Sequence, residues 1–413
     1  MRVTLRTILL RALAVFAAVQ ATLVAVLLVL DHLRKRRSKL PLSYPAHSYA
    51  PVELELSDGT VKLFTNGVEL YDAMLAEIEQ AEHHIYLETF IWKDDAVGRS
   101  IRDALERKAG EGVTVCVIFD GFANMVVSSE FKDFPDSIHT LHFRPTNHPA
   151  SIASPRNYFR DHRKILVVDD RVGFIGGYNL GSLYATDSWR DTHMRVTGDC
   201  VRELANAFAD FWNNHRDTTL APVPEVRGRA WKPDVLLHRN DPFLRIFPIR
   251  GMYLEAIDRA EKHVYMTHAY FVPDRAFRFA MIDAARRGVD VQVLVPWHSN
   301  HVVADWAARR YFSGLLEAGV RLFAYRDVMI HAKTATVDGM WSTVGTANID
   351  RLSLLGNYEV NLEIYSTAVA AQMEDMFELD KTNCFELDLE TWRNRPTRAK
   401  FAERVLEGLA PLV

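Results

Sequence analysis

The sequence is poor in cysteine and has no excess of basic charge. Its 413 residues include three cysteines, Cys116, Cys200 and Cys384, and no C-x-x-C pair. An odd number of widely spaced cysteines argues against a disulfide framework and against a structural zinc site. Lysine and arginine number 49 against 53 acidic residues, which gives a net charge of -4. Proteins that wrap nucleic acid usually carry a basic surplus, so we expect no nucleic-acid partner.

Long apolar runs are also scarce, with one exception near the N terminus. Residues 12–30 contain no charged side chain, and about 20 apolar residues in a helix suffice to cross a bilayer. Five basic residues follow between 34 and 39, where a signal peptide would need a small-residue cleavage site. We therefore predict a single-pass membrane anchor. Because three basic residues precede the run and five follow it, the rest of the chain is predicted to be cytoplasmic.

Proline-rich segments divide the chain. Three prolines between 41 and 51 mark a linker, and four between 218 and 242 mark a second break. The predicted division is 1–40 for the membrane anchor with its basic flank, 41–51 for the linker, 52–222 for the first lobe and 223–413 for the second lobe.

The two halves beyond the linker repeat each other. A helical pattern that leads into a strand occurs over 70–92 and again over 251–271. Ile78 and Ile85 correspond to Ile257 and Val264 at one constant offset along the chain. Strands that alternate with helices indicate α/β layers, and the recurrence indicates an internal duplication.

One group of residue types occurs once in each half at identical spacing. A lysine at +2, an aspartate at +7, a glycine at +14 and an asparagine at +17 follow both His162 and His331. These residues are Lys164, Asp169, Gly176 and Asn179 in the first half, and Lys333, Asp338, Gly345 and Asn348 in the second. A single H-x-K would carry no information, but five residue types that recur at one spacing predict one shared site.

The chemistry of this group suits a phosphate ester. Residues i and i+2 of a strand share a face, so each histidine points the same way as its lysine. Lysine binds phosphate as a compact cation, and one imidazole can attack phosphorus to form a phosphohistidine. The other imidazole can protonate the leaving oxygen and later deprotonate the acceptor. Since the lysines supply positive charge, we expect neither a metal nor a cofactor.

A carboxylate behind each histidine would fix the tautomer of the imidazole. The candidates are Asp191, which follows His162 in the first half, and Glu359, which follows His331 at nearly the same separation in the second. The spacing thus associates each carboxylate with the histidine of its own half.

Three other acidic residues are candidates for the site. Asp169 and Asp338 end their strands, and we interpret them first as structural residues of the turns and second as catalytic residues. Glu88 stands in an otherwise apolar strand and therefore needs a partner. It is either a substrate-binding residue or a buried acid bonded to the backbone or to a lysine.

The double motif H-x-K-x4-D-x6-G-[GST]-x-N resembles the signature of the phospholipase D superfamily. Within that superfamily the sequence is similar to the bacterial cardiolipin synthases, in stretches such as YLETFIW, RDHRKILVVDD, WRDTHMRVTG, GTANID and LGNYEV. The resemblance covers the chain from about residue 52 to about 365. It implies two pseudo-symmetric α/β/α lobes with the site between them, here preceded by the one predicted transmembrane helix.

The resemblance also implies an activity at the cell membrane. A phosphatidyl group would move from one phosphatidylglycerol to the hydroxyl of another, with release of glycerol. His162 would be the nucleophile and His331 the acid and base. Lys164, Lys333, Asn179 and Asn348 would bind phosphate, and Asp191 and Glu359 would support the histidines.

Two alternatives stay open at this stage. A phospholipase D hydrolase or a nuclease would share the two-histidine site, because the choice between a lipid hydroxyl and water depends on pocket shape. The near-neutral composition and the predicted anchor favour a lipid substrate. A non-catalytic lipid-binding protein is opposed by the integrity of both motifs. The sequence carries no signal for the oligomeric state.

Overall fold

The computed structural model describes residues 5–37, 45–144, 159–225 and 234–406. Parts of the predicted segments lie outside these ranges. They are residues 1–4 and 38–40 of the anchor with its basic flank, 41–44 of the linker, 145–158 of the first lobe, and 226–233 and 407–413 of the second lobe.

The first lobe is a mixed β-sheet flanked by helices. Its described strands are β1 (Glu53–Glu55), β2 (Thr60–Phe64), β3 (His84–Thr89), β4 (Thr114–Asp120), β5 (Ile138–Phe143), β6 (Ile165–Val168), β7 (Val172–Gly176) and β9 (His193–Thr197). Its described helices are α2 (Gly67–Glu79), α3 (Ala96–Gly110), α4 (Ser129–Lys132) and α5 (Cys200–His215). The strand order is β1-β2-β9-β7-β6-β3-β4-β5. Strands β3, β4 and β5 run parallel, and the other neighbours run antiparallel.

The second lobe repeats this plan. Its described strands are β10 (Val235–Asn240), β11 (His263–His268), β12 (Asp290–Pro296), β13 (Arg321–Tyr325), β15 (Lys333–Val337), β16 (Trp341–Gly345), β17 (Glu359–Tyr365) and β18 (Cys384–Glu386). Its described helices are α6 (Pro248–Arg259), α7 (Arg275–Arg286), α8 (Val302–Glu317), α9 (Arg351–Leu355), α10 (Thr367–Lys381), α11 (Leu389–Arg393) and α12 (Thr397–Leu406). The strand order is β10-β17-β16-β15-β11-β12-β13-β18.

The two sheet orders match strand for strand except at their edges. In each sheet the motif strand, β6 or β15, lies antiparallel between β3 and β7 or between β11 and β16. The first sheet adds β1 beside β2, whereas the second adds β18 beside β13. The predicted α/β class and the internal duplication are therefore confirmed.

Local sequence explains why the helices begin and end at equivalent places. Asp95 caps α3 and Asp274 caps α7, because each side chain accepts a hydrogen bond from a backbone N–H of the first turn. After these helices the chain turns at Gly112 and Gly288, whose φ angles are 95° and 96°. Glycine adopts this left-handed conformation without steric cost, so both helices stop before the next strand.

A shared core joins the lobes. Phe208 and Trp212 of α5 pack on the first sheet, and the same apolar cluster continues into Val344 and Leu362 of the second sheet. Burying one such side chain contributes about 1.5–3 kcal/mol. Because the core is continuous, the two motif strands are held in a fixed relation.

The N-terminal apolar run forms the middle of α1 (Leu5–Arg37), a helix of 33 residues. Among the residues that the structure describes, no helix combines the length and the apolar character needed to cross a membrane. The predicted transmembrane anchor is therefore not supported. Helix α1 packs against α8 and α12, and Leu27 is buried.

Candidate active site

Short backbone pairings between the lobes bring the two motifs together. Strand β8 (Trp189–Arg190) of the first lobe pairs in parallel with β14 (Met329–Ile330) of the second, immediately before His331. A second bridge joins Asp161 to Tyr358 in the same parallel sense. Each motif histidine is therefore approached through a strand-like contact with the opposite lobe.

These pairings fix the positions of two carboxylates. The backbone N–H of His331 donates to the carbonyl oxygen of Arg190 at 2.6 Å, and that of His162 donates to the carbonyl oxygen of Tyr358 at 3.0 Å. Arg190 directly precedes Asp191, and Tyr358 directly precedes Glu359. Each carboxylate therefore lies beside the histidine of the other lobe.

The side chains complete this crossed arrangement. His331 Nδ1 lies 2.6 Å from Asp191 Oδ2, and His162 Nδ1 lies 3.0 Å from Glu359 Oε2. The spacing in the sequence had associated each carboxylate with the histidine of its own half, and the structure exchanges them. A proton on Nδ1 that bonds a carboxylate leaves the lone pair on Nε2, the atom that must attack or exchange a proton.

The two carboxylates differ electrostatically. Burial acts to raise the pKa of Asp191, but the nearby Lys333 and His331 outweigh it and the pKa is lowered. Burial raises the pKa of Glu359 to about 8, against the opposing effect of Lys164. Asp191 is therefore ionised at neutral pH, whereas Glu359 holds a proton more readily.

One position of the motif contacts the carboxylate differently in the two halves. A Cβ added at Gly177 would collide with the carboxylate of Asp191, so glycine lets that carboxylate reach the active site. The corresponding residue of the second motif is Thr346, whose hydroxyl donates to Glu359 Oε2 at 2.5 Å. The two motifs are alike in spacing but hold their carboxylates differently.

The two lysines are buried beside the histidines. Lys164 Nζ donates to the carbonyl oxygen of His162 at 2.6 Å, and Lys333 Nζ donates to that of His331. Burial lowers the pKa of Lys164 to about 7 and that of Lys333 to about 8. Lys333 Nζ also lies 2.8 Å from His331 Nδ1. We assign the Nδ1 proton to the shorter contact with Asp191, because a carboxylate accepts it and an ammonium does not.

Lys333 acts on both imidazoles. The pKa of His162 lies well below its usual range, mainly because the ring is buried and also because Lys164 and Lys333 are close. Burial and Lys333 lower the pKa of His331 to about 3. A lysine from the second lobe thus acts on the histidine of the first, which indicates one shared site. A bound phosphodiester would add negative charge and raise both pKa values.

Aromatic rings surround the imidazoles, and the sequence did not predict this. The ring of Phe90 lies 4.8 Å from that of His162, and the ring of Trp189 lies 5.0 Å from that of His331. Tyr270 approaches His331 at 5.9 Å. These rings exclude water from one side of each imidazole. The nearest signal in the sequence is position: Phe90 directly follows β3, Tyr270 lies two residues after β11, and Trp189 lies two residues before Asp191.

The two asparagines bind the main chain. Asn179 Oδ1 accepts from the N–H of Ile91 at 3.1 Å, and Asn348 Oδ1 accepts from that of Tyr270 at 3.3 Å. Both side chains are buried. The asparagines therefore hold the segments that follow β3 and β11, a role the sequence did not suggest. Phosphate binding by either amide stays a prediction.

Asp169 and Asp338 lie at the far ends of the motif strands. Asp169 accepts from the backbone N–H groups of residues 82, 83 and 84 at 2.7–2.8 Å, and Asp338 accepts from those of residues 261, 262 and 263 at 2.8 Å. Seven extended residues span about 20 Å, which puts Asp169 out of reach of His162. A catalytic role for these aspartates is therefore not supported, and their interpretation as structural turn residues fits the fold. Their positive φ angles, both 54°, belong to the hairpin turns that join the motif strands to β7 and β16.

Glu88 lies behind the first motif. It is 1% exposed, and Arg163 Nη2 lies 2.7 Å from its Oε1. Arg163 alternates with His162 and Lys164 along the chain and so faces the opposite side. Burial raises the pKa of Glu88 well above its usual value, and Arg163 opposes that rise. The structure favours the second alternative for Glu88, a buried acid with a basic partner, which is an arginine and not a lysine.

Comparison with known proteins agrees with this geometry. A family described as "Cardiolipin synthase, PLD-like domain" matches residues 74–212 and 253–381, once in each lobe. The chain belongs to this phospholipase D-like family. It is an enzyme of the phospholipase D superfamily that transfers phosphatidyl groups.

Individual relatives extend over most of the chain. A cardiolipin synthase of Listeria monocytogenes serotype 4b is 34% identical over 368 residues, which are 86% of this chain and 76% of the relative. A cardiolipin synthase of Geobacillus kaustophilus is 33% identical over 384 residues, 90% of this chain and 76% of the relative. Among solved structures, phosphatidylserine synthase of Haemophilus influenzae has a TM-score of 0.67 at 15% identity and covers 90% of this chain and 95% of its own. This last likeness concerns the fold alone.

Proposed function

We propose that this protein joins two molecules of phosphatidylglycerol into cardiolipin and releases glycerol. The crossed arrangement carries the proposal, since two imidazoles each bond a buried carboxylate and sit beside a buried lysine. Such a site suits transfer through a covalent phosphohistidine without a metal. The relatives named cardiolipin synthase support the choice of substrate.

In the first step, Nε2 of His162 attacks the phosphorus of one phosphatidylglycerol. A phosphorus–nitrogen bond forms as the bond from phosphorus to the headgroup glycerol oxygen breaks. The imidazolium of His331 gives its proton to that oxygen, and glycerol leaves. Lys164 and Lys333 neutralise the charge on the non-bridging phosphate oxygens.

In the second step, the neutral His331 takes the proton from a headgroup hydroxyl of the second phosphatidylglycerol. The resulting oxygen nucleophile attacks phosphorus, and the phosphorus–nitrogen bond to His162 breaks. Cardiolipin forms, and both histidines return to their starting states. Water in place of the lipid hydroxyl would give phosphatidic acid.

The difference between the carboxylates supports this division of roles. An ionised carboxylate stabilises an imidazolium, and Asp191 is the ionised partner of His331. The raised pKa of Glu359 makes it the weaker partner for a positive charge on His162. His331 is therefore the imidazole that is more readily protonated, which suits the acid–base role, whereas His162 more readily stays neutral, as the attacking imidazole must be.

Product analysis tests the proposal. Purified protein in detergent micelles receives phosphatidylglycerol labelled in its headgroup glycerol. We expect one labelled glycerol released per cardiolipin formed. The variant His331→Asn should lose both products, and the matched variant His83→Asn, at an exposed histidine, should keep them. Phosphatidic acid as the sole lipid product would overturn the synthase proposal in favour of hydrolysis.

The substrates also place the reaction at a membrane surface. Both phosphatidylglycerol molecules are bilayer lipids, so we propose that the enzyme is membrane-associated when it acts. The exposed apolar side chains of α1, such as Val15, Leu28 and Val29, support this placement.

A further inference from the structure

The outer face of the second lobe carries a groove rich in basic residues. Two adjoining depressions of about 410 Å³ and 530 Å³ lie between α7 and α8 and beside α11 and α12, and Arg310 lines both. Basic side chains along them include Arg275, Arg278, Arg310, Arg393, Lys400 and Arg404. We call this feature the basic groove.

The basic groove concentrates positive charge in a chain whose net charge is -4. Among the described residues that line the groove, one is acidic, Glu403. Its side chain is buried and accepts a hydrogen bond from Arg395 at 2.5 Å. Arg310, Lys400 and Arg404 are exposed. A concave surface lined mainly by charge of one sign focuses the field and attracts anions.

Exposed aromatic side chains stand in the same groove. Phe279 is 57% exposed beside Arg275, and Phe401 is 60% exposed beside Lys400. The guanidinium of Arg275 lies 5.2 Å from the ring of Phe279. Large apolar rings among cations are typical of surfaces that meet the polar–apolar boundary of a lipid bilayer.

Helix α1 lies next to the basic groove. It packs against α8 and α12, both of which line the groove, and Gln20 Nε2 donates to the carbonyl oxygen of Val405 at 2.9 Å. Val26 and Leu30 of α1 are about half exposed. Exposed apolar side chains of α1 therefore lie near the exposed basic side chains of the groove. A nucleic acid would use the charge but leave these apolar side chains without a partner.

We propose that the basic groove binds the phosphate headgroups of anionic phospholipids and docks this face on a membrane. This docking surface lies on the outside of the second lobe, whereas the two histidines lie between the lobes. The proposal does not depend on which lipid accepts the phosphatidyl group, because it concerns binding and not turnover.

Vesicle binding by the full chain tests the proposal. The variant Arg310→Gln/Lys400→Gln/Arg404→Gln is compared with wild type on vesicles of phosphatidylcholine that contain 30 mol% phosphatidylglycerol. We expect its apparent affinity to fall about tenfold or more, because each basic residue near an anionic surface contributes about fivefold. Binding to pure phosphatidylcholine vesicles should not change. All proteins carry His331→Asn to prevent turnover.

A matched variant distinguishes the effect of the groove on binding from the effect of the protein's net charge. Arg99→Gln/Arg202→Gln/Arg259→Gln removes the same charge from arginines that are 52–72% exposed elsewhere. We expect this control to bind within about twofold of wild type. Equal losses in the two triple variants, or no loss in the groove variant, would overturn the proposal. A groove variant that loses affinity for a single-stranded oligonucleotide but not for vesicles would also overturn it. Failure of cardiolipin synthesis leaves these results unaffected.

Discussion

The imidazole Nδ1 of His331 lies 2.6 Å from Oδ2 of Asp191, a carboxylate that the other lobe supplies. His162 and Glu359 form the reciprocal pair at 3.0 Å. Neither lobe therefore contains a complete histidine–carboxylate pair. The duplicated fold needs both halves to set the tautomer of either histidine, which explains why one chain carries two motifs and one site.

Replacing Asp191 by Asn should lower kcat roughly 10²- to 10⁴-fold, the range in which acid–base catalysis contributes. Asparagine is isosteric but cannot stabilise the imidazolium of His331. The initial rate of glycerol release measures the effect. Asp187→Asn, at an exposed position in the same segment, is the control and should retain its rate. A rate for Asp191→Asn within about threefold of wild type would contradict the crossed pairing, because acid–base effects are far larger.

Of the two histidines, only His162 should carry the covalent phosphatidyl group. The enzyme is mixed with ³²P-labelled phosphatidylglycerol, and the reaction is quenched in base within one turnover. The ³²P should then be found on the peptide that contains His162. His162→Asn should abolish this label, and His331→Asn should leave a slowly formed, slowly lost label. Mass spectrometry of the labelled peptide locates the phosphorus. Label on the peptide of His331 would reverse the assignment.

Activity should fall as the pH rises through the pKa values of the two lysines. These values are lowered by burial to about 7 for Lys164 and about 8 for Lys333. A lysine is charged below its pKa, so phosphate neutralisation is intact at lower pH and is lost as pH increases. We expect kcat/KM to fall on the alkaline side, by about tenfold per pH unit for each lysine that titrates. A flat profile from pH 7 to pH 9.5, with the fold intact by circular dichroism, would contradict this.

Asp169→Ala should reduce stability and spare catalysis. The carboxylate accepts three backbone N–H groups, so its loss should lower the free energy of unfolding by about 2–4 kcal/mol. Burial would raise the pKa of Asp169, but the N–H donors outweigh it and the pKa is lowered. Its contribution is therefore present at neutral pH and is lost as the pH falls through that lowered pKa. Urea unfolding at pH 7 measures the change.

Asp338→Ala provides the matched variant in the second lobe, because its carboxylate makes the same three bonds. Both variants should keep kcat within about twofold when folded, since neither carboxylate reaches the histidines. A loss of kcat beyond about tenfold with unchanged unfolding would restore a catalytic role for these aspartates.

Glu88→Gln should destabilise the first lobe without changing KM. The substitution removes the carboxylate closest to the buried guanidinium of Arg163 and leaves Asp161, whose Oδ1 lies 3.5 Å from Arg163 Nε, so we expect a loss of about 1–3 kcal/mol. The double variant Glu88→Gln/Arg163→Met removes the guanidinium as well, and its stability should differ from the sum of the two single effects. Thermal unfolding of wild type, the two single variants and the double variant gives the coupling free energy between Glu88 and Arg163. Additive effects, or a large rise in KM for Glu88→Gln, would place Glu88 in the substrate site.

Periodicity and motif spacing determined much of the protein. The constant offset between the two halves predicted two equivalent lobes, because apolar positions at matching intervals form matching helices and strands. The H-x-K spacing predicted that each histidine lies beside its lysine, because a strand repeats every two residues. Asp169 and Asp338 marked the turns at the ends of the motif strands. These inferences depend on local geometry, which the order of residues specifies.

The tertiary structure decided how the halves meet. The exchange of Asp191 and Glu359 depends on backbone hydrogen bonds from His331 to Arg190 and from His162 to Tyr358. Sequence distance favours the carboxylate of the same half, whereas contacts across a pseudo-twofold axis depend on docking through the shared core. Within the first lobe, the pairing of β3 with β6 put Glu88 beside Arg163. Packing between elements distant in the chain, and not any local pattern, fixed these relationships.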